Sequence, residues 1–355
     1  MLEVLACPAC REPFTLVGSV ERSGDVIESA TLRCAGCERT YPVHRGIPRL
    51  APADDRFSDP EARTQSHFTH EFTALAEGDR DIDPPELVEY YFYSRTGLDP
   101  ELYRRLPGDP GRTSLPTGPD AYRADPSFLA GKRVLDAGCG PGRFTRVAAA
   151  GASEVIGLDL GEHVDRAAAR CADLPNVELV QGSVLDPPFR PGTFDYVFSV
   201  GVLHHTPDPR RGCHELAKLL TPEGALSVWV YPPEYWNGRL RGAVGRSVHA
   251  KLSTMSPERS MAVCARWLYP LGRVQMALAD TKWGKVVGAP IFLLSVPRHP
   301  QREVMIATIH DYYGPPIIST HTYDEVRSWL EEIGFQNLRQ VPVPTAWFAE
   351  SRRTA

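Results

Sequence analysis

The 355-residue chain has no apolar run approaching the roughly 18 residues that a membrane-spanning helix requires. Its longest candidate, around Val286–Val296, is broken by Gly288 and Pro290. The first residues, MLEVLACPAC, offer neither the basic leader nor the apolar stretch of a secretory signal, so the expected location is the cytoplasm. Charge of one sign is also missing: 39 Lys and Arg against 44 Asp and Glu leave a net of −5, with no global field to attract nucleic acid. There is no internal repeat, low-complexity tract or basic arm. A hydrophobic fraction of 42% with 23% charged residues excludes a disordered tail and a membrane bundle, and the length suggests two or three units.

What is present falls into four textures. Residues 1–50 hold four of the eight cysteines; the others, Cys139, Cys171, Cys213 and Cys264, stand singly, as in a reducing compartment. Residues 51–130 are acidic, with 16 Asp and Glu against 8 Lys and Arg, and carry short helical patches around His67–Glu77 and Pro85–Ser94. Residues 232–310 are basic and largely helical, with 4 acidic against 11 basic side chains. Between them, 131–231 alternates β-branched runs with amphipathic segments. Strands are predicted at Arg133–Ala137, Glu154–Asp159, Val177–Gln181, Phe194–Val200 and Ala225–Tyr231, and helices at Arg143–Ala150, Glu162–Ala172 and Pro209–Leu220. Such alternation implies right-handed βαβ units and a parallel sheet. The rhythm resumes after the basic stretch: Thr322 and Glu325 form a capping box, Gly334 closes that helix, and strands near Phe335–Val343 and Ala346–Glu350 make a final hairpin.

Cys7-x2-Cys10, 23 residues, then Cys34-x2-Cys37 has the spacing of a four-cysteine zinc ribbon. Each CxxC puts two thiolates on one knuckle, and four thiolates leave no position for a catalytic water, so the metal is structural. His44 is surplus and is expected to pack on the ribbon. The ribbon and its tail YPVHRGIPRL resemble the small zinc-ribbon proteins that activate tRNA and release-factor methyltransferases. That resemblance implies partnership with a methyltransferase and says little about substrate.

VLDAGCGPG is a strand running into a glycine loop and a helix. A glycine loop alone also suits a dinucleotide. Asp136 separates the two, because a carboxylate before the first glycine would repel a pyrophosphate and suits an ammonium, such as the methionyl end of S-adenosylmethionine. Asp159, ending the second strand, can accept from both hydroxyls of a ribose. With VIGLDL, VQGSVLDPPF and FDYVFSVGVLHH, the chain resembles class I S-adenosylmethionine-dependent methyltransferases of the ubiquinone-biosynthesis type over about 131–231 and 320–352. The resemblance implies an α/β fold: a Rossmann-like seven-stranded, mostly parallel sheet with helices on both faces, here joined by the N-terminal ribbon and a helical insert acting as a lid. It assigns cofactor binding to Asp136, Gly138, Gly140, Gly142, Asp159, Leu160, Ser183, Val184 and Val200. Ser183 departs from the Asp usual at that place, and Asp186 is a possible substitute.

Methyl transfer from a sulfonium needs an aligned acceptor, and a base where the nucleophile must lose a proton. His204 and His205 follow the fourth strand, at the end where open sheets bind ligands, although such a pair can also merely shape a loop. His310, Asp311 and Tyr312 form a second candidate group, in which a neighbouring Asp could orient the His; the alternative is a packed connector. Tyr231 ends strand five on the same rim. In many relatives an N-terminal helix covers the cofactor, which gives Arg95 the methionyl carboxylate as a partner; the tyrosines around it can also be plain core.

The expected organisation is a ribbon (1–50), an acidic helical linker and cofactor lid (51–130), a methyltransferase domain (131–231 and 311–355) and a basic insert over the acceptor (232–310). The expected function is methylation of a small-molecule acceptor, for which the basic insert suggests phosphate or carboxylate groups, with S-adenosyl-L-methionine as cofactor and zinc in the ribbon. A membrane is not expected as a partner, and the charge balance disfavours nucleic acid. The competing readings are a modifier of tRNA, rRNA or protein that docks through the ribbon, and a binding module without catalysis.

Overall fold

The computed structural model describes residues 1–24, 26–51, 59–76, 85–99, 126–233, 239–279, 291–294, 296–297, 299, 301–341 and 346–352. They divide into two compact units, one of residues 1–56, 85–230 and 321–355, the other of 57–84 and 231–320.

The first unit opens with four antiparallel strands, β1 (Phe14–Ser23), β2 (Val26–Cys34), β3 (Thr40–His44) and β4 (Ile47–Pro48), in that spatial order. β3 alternates as a half-buried strand should, with Tyr41 and Val43 inward and His44 exposed rather than packed. The main sheet follows: β5 (Arg133–Ala137), β6 (Glu154–Asp159), β7 (Val177–Gln181), β8 (Phe194–Val200), β9 (Leu220–Trp229), β10 (Phe335–Val341) and β11 (Ala346–Arg352), ordered β10-β11-β9-β8-β5-β6-β7. β5 to β9 pair in parallel, and β11 runs against both β9 and β10. The bounds of β5 to β8 are those predicted, because near-continuous apolar strands buried on both faces are what a parallel sheet needs. β9 begins five residues earlier than predicted, at Leu220 rather than Ala225, absorbing Thr221–Gly224 with a register shift against β8. The helix Tyr323–Ile333 is capped as expected: Thr322 Oγ1 accepts from the Glu325 N–H at 3.2 Å, and Gly334 closes it at φ +99°. The Glu325 carboxylate, however, pairs with His321 Nδ1 at 2.8 Å.

Strand order reverses at β5, so the crevice for a ligand lies beyond the carboxyl ends of β5, β6 and β8. The ribbon is built onto this sheet. Ala6 N–H donates to the Pro188 carbonyl at 3.0 Å, Arg190 N–H to Val4 at 2.9 Å, and Leu50 N–H to Gln181, the last residue of β7, at 2.7 Å. Leu5, Leu32 and Leu50 share one buried core with Ile156, Val180 and Phe189. About 50 residues are too few to enclose a core of their own, and here the sheet supplies the missing half.

The second unit is helical: Asp59–Ala76, Arg239–Leu252, Pro257–Val263, Tyr269–Ala279 and Arg302–Tyr313. A π turn at Cys264–Leu268 joins the middle pair. It lies just before Pro270, whose missing N–H breaks the regular ladder. Leu252, Cys264, Leu268, Met305, Ile309 and Tyr313 form this unit's own core. The acidic stretch 51–130 is therefore divided: its first helix belongs to the helical unit, and the helix Pro85–Thr96 packs in the sheet unit.

Candidate active site

β5 delivers Asp136 and the glycine loop together. Gly138 sits at φ +95°, and a Cβ there would lie 2.2 Å from Val202 Cγ2, so no side chain fits. The N–H groups of Gly138 and Cys139 both donate to the Leu158 carbonyl, at 2.8 and 3.0 Å, which ties the loop to β6. Gly142 then starts the helix Arg143–Ala149 at φ +82°, with the Ala167 backbone 3.0 Å from where its Cβ would be.

Two carboxylates flank this loop, Asp136 buried and Asp159 partly so, and their surroundings tune them in opposite directions. Burial pushes Asp136 up to about 7; the Thr145 hydroxyl, donating to Oδ2 at 2.7 Å, opposes this, and the charge of Asp159 adds to it. At Asp159 burial is outweighed by His163, whose Nε2 lies 2.7 Å from Oδ1, and by the N–H groups of Gly161 at 3.0 Å and Gly140 at 2.8 Å, so it stays below the usual carboxylate range. His163 was not among the residues predicted, since a histidine four positions after a strand-ending Asp forms no recognisable motif.

The remaining candidates of this unit lie nearby in the fold. The Leu160 carbonyl accepts from Gln181 Nε2 at 3.0 Å, and the buried Ser183 Oγ accepts from the Leu185 N–H at 3.1 Å. Val184 is buried next to it, and Val200 ends β8. Asp186, the possible substitute for Ser183, is occupied elsewhere, accepting from Arg211 Nη2 at 2.6 Å on the surface. Arg95 is held between rings, its guanidinium carbon 4.5 Å from the Tyr91 centroid and 5.0 Å from that of Trp229, at the carboxyl end of β9. Its helix is pinned by Ser227 Oγ, which donates to the Thr96 carbonyl at 2.7 Å and accepts from the Tyr196 hydroxyl at 2.8 Å.

His204 and His205 lie in a short 3-10 turn after β8, with ring centroids 4.2 Å apart. His204 is fully buried, and burial together with His205 and His321 pushes its pKa far below the ordinary value, which leaves it neutral and enclosed. His205 is half-buried.

His310, Asp311 and Tyr312 belong to the helical unit and form the last turn of the helix Arg302–Tyr313, not a loop. Asp311 does not orient His310. Neighbours on a helix diverge by about 100°, and the two side chains have different partners. His310 is fully buried, its Nδ1 2.9 Å from Glu71 Oε2 and its Nε2 3.0 Å from His67 Nδ1. Burial lowers both His67 and His310 to about 4. Asp311 accepts a short hydrogen bond from the Tyr231 hydroxyl, and the Tyr231 ring lies 5.2 Å from that of Tyr312.

The sulfurs of Cys7, Cys10, Cys34 and Cys37 all fall within 4.8 Å of one another. Cys7 to Cys37 is 3.7 Å and Cys10 to Cys34 is 3.3 Å; tetrahedral thiolates on zinc stand about 3.8 Å apart. The two knuckles repeat one geometry. Arg11 N–H donates to the Cys7 carbonyl at 2.8 Å and Glu38 N–H to the Cys34 carbonyl at 3.2 Å, and both residues following the second cysteine adopt positive φ, +69° and +60°. The set fits one structural zinc with no open position.

Residues 135–228 match the model of the methyltransferase domain family, and residues 1–46 match that of Trm112p-like proteins. The chain carries a class I S-adenosylmethionine-dependent methyltransferase domain. It is 37% identical to a tRNA U34 carboxymethyltransferase of Methylococcus capsulatus over 157 residues, 43% of this chain and 48% of that one. It is 38% identical to a ubiquinone biosynthesis O-methyltransferase of Erwinia tasmaniensis over 101 residues, 28% of this chain and 42% of the relative. Among solved structures, an S-adenosylmethionine-dependent methyltransferase from Mesorhizobium loti aligns at 31% identity and TM-score 0.29, covering 31% of this chain and 51% of that one. The chain spans about half or less of the length of these curated relatives. No helix among the described residues is long and apolar enough to cross a membrane.

Proposed function

We propose that the protein is an S-adenosylmethionine-dependent methyltransferase acting on a small-molecule acceptor. The observation that carries the reading is the pair of oppositely tuned carboxylates, Asp136 and Asp159, on either side of a loop where Gly138 has no room for a side chain. When bound, the cofactor supplies a methyl group already activated as a sulfonium, so the protein's main task is alignment for in-line displacement. Asp136, poised at about 7, takes the ammonium of the methionyl end, whose charge draws it into the ionised form. Asp159 keeps lone-pair capacity for ribose hydroxyls beyond its three present partners. Gly140 and Gly142 let backbone approach the cofactor, and Leu160, Ser183, Val184 and Val200 enclose the adenosine. Arg95, oriented by its two rings, takes the methionyl carboxylate. For the acceptor, Asp311 in the helical unit, which accepts from the Tyr231 hydroxyl with Tyr312 alongside, is one candidate to take up a proton; in the sheet unit His205 is another. His204 and His310, both buried and neutral, hold their surroundings in shape.

Two features favour a small acceptor. The ribbon's apolar residues are already covered by this chain's own sheet, and residues 232–310, with 11 basic against 4 acidic side chains, favour an anionic molecule. A second reading, methylation of an RNA or protein, is favoured by the tRNA-modifying relative and the Trm112p-like match. Methyl transfer from radiolabelled cofactor into host extract, split by size, separates them. Label in the small-molecule fraction is expected; label in large material lost to RNase or protease overturns the choice of acceptor. No label together with no cofactor binding points to a non-catalytic module.

A further inference from the structure

We infer that Arg49, in the ribbon's tail, is a positioning residue through which the ribbon sets the adenosine side of the cofactor pocket; this rests on the pocket proposed above. The residue is anchored in the ribbon at its backbone, where its N–H donates to the Pro42 carbonyl at 2.9 Å. Its guanidinium faces the sheet. Nη2 and Nη1 meet the two oxygens of Asp165 at 2.7 and 3.0 Å, a fork-to-fork pair, and Nη1 also reaches Gln181 Oε1 at 3.3 Å. Gln181 passes the contact on, its Nε2 donating to the Leu160 carbonyl at 3.0 Å.

The segment 159–165 is therefore held from both ends by one ribbon side chain. Asp165 lies in the first turn of the helix that leaves this segment, and Leu160 follows Asp159 at its start. A second ribbon residue supports the same region by packing: Ile47 shares a small core with Cys139 of the glycine loop and with Val164, Ala167 and Leu179. Neither contact touches the cofactor pocket itself. Both fix the backbone that presents Asp159, so ribbon and cofactor each favour the arrangement the other needs, and their binding is reciprocally coupled. Lysine would not replace Arg49, because a single ammonium cannot span Asp165 and Gln181 in one plane.

The test uses the full zinc-loaded chain and S-adenosylhomocysteine as probe. Arg49→Gln is expected to weaken its Kd about tenfold and to abolish the slowing of zinc release to a chelator that the probe causes in the parent protein. Asp165→Asn removes the same fork from the other side, so it serves where Arg49→Gln folds poorly. The double variant is expected to bind no more weakly than either single one. Arg210→Gln, which breaks a surface pair with Glu332 of 2.7 Å, is expected to leave both readouts unchanged. Parent-like Kd and parent-like protection of zinc in both Arg49→Gln and Asp165→Asn overturn the inference. A parent protein that fails to bind the probe overturns the cofactor reading first, and this inference with it.

Discussion

The ribbon and the helical unit are both additions to a methyltransferase sheet, and they are stabilised in different ways. The ribbon has four strands, one metal site and an apolar face completed by β6, β7 and the segment around Phe189. The helical unit encloses a core of its own around Leu252, Met305 and Ile309, and adds a buried polar chain, Glu71–His310–His67. The metal knuckle thus makes the ribbon legible as a module in sequence, yet energetically it is part of the sheet. The helical unit carries no such knuckle among its described residues, and its core is drawn from its own helices.

That contrast predicts the largest effect. Removing zinc, or Cys34→Ala, should lower the melting temperature of the sheet-bearing unit by about 10 °C, since several kcal/mol of folding energy reside in a structural zinc. Scanning calorimetry should show the helical unit's transition unmoved. A ribbon that melts alone, leaving the sheet transition where it was, would break the shared-core account.

The two carboxylates sharpen the comparison within the sheet unit. Asp136 is raised to about 7, so below that pH the free protein holds a proton there that an ammonium ligand must expel. Affinity for S-adenosylhomocysteine should therefore tighten as pH rises from 6 to 8, by up to about tenfold per unit below 7, and then level off. Asp136→Asn should weaken binding by at least about tenfold and flatten this dependence. A pH slope that persists in the variant assigns it to another group.

The helical unit should respond to acid instead. His67 and His310 are lowered to about 4 from an ordinary value near 6.5, so on acidification the unfolded chain takes up protons first. The unit's stability is fully present above about 6.5 and declines as pH falls from there to 4. His310→Gln should cost about 1–3 kcal/mol by leaving Glu71 and His67 poorly paired, and denaturant melts at pH 5 and 7.5 would then differ less than in the parent. The smallest effect belongs to the surface: Arg210→Gln should change stability by less than about 1 kcal/mol, because Arg210 and Glu332 are both exposed.

Much of the sheet unit was readable from sequence because its signals are local. RVLDAGCGPG carries strand, loop and helix start within ten residues, and the zinc ligands come as two short pairs. What escaped was set by contacts distant in sequence. His310 beside Asp311 reads as a catalytic pair, yet its partner is Glu71, 239 residues away, and only the packing of two helices reveals that. Arg49 escaped likewise, since its partners Asp165 and Gln181 lie 116 and 132 residues on. His163 is close to Asp159 in sequence and was still missed, because a histidine supporting a carboxylate resembles any surface histidine until its burial is known.

The most direct test of the central claim is a calorimetric titration of the zinc-loaded protein with S-adenosylhomocysteine at pH 6 and pH 8. One site per chain is expected, bound more tightly at pH 8. Absence of binding at both values would contradict it.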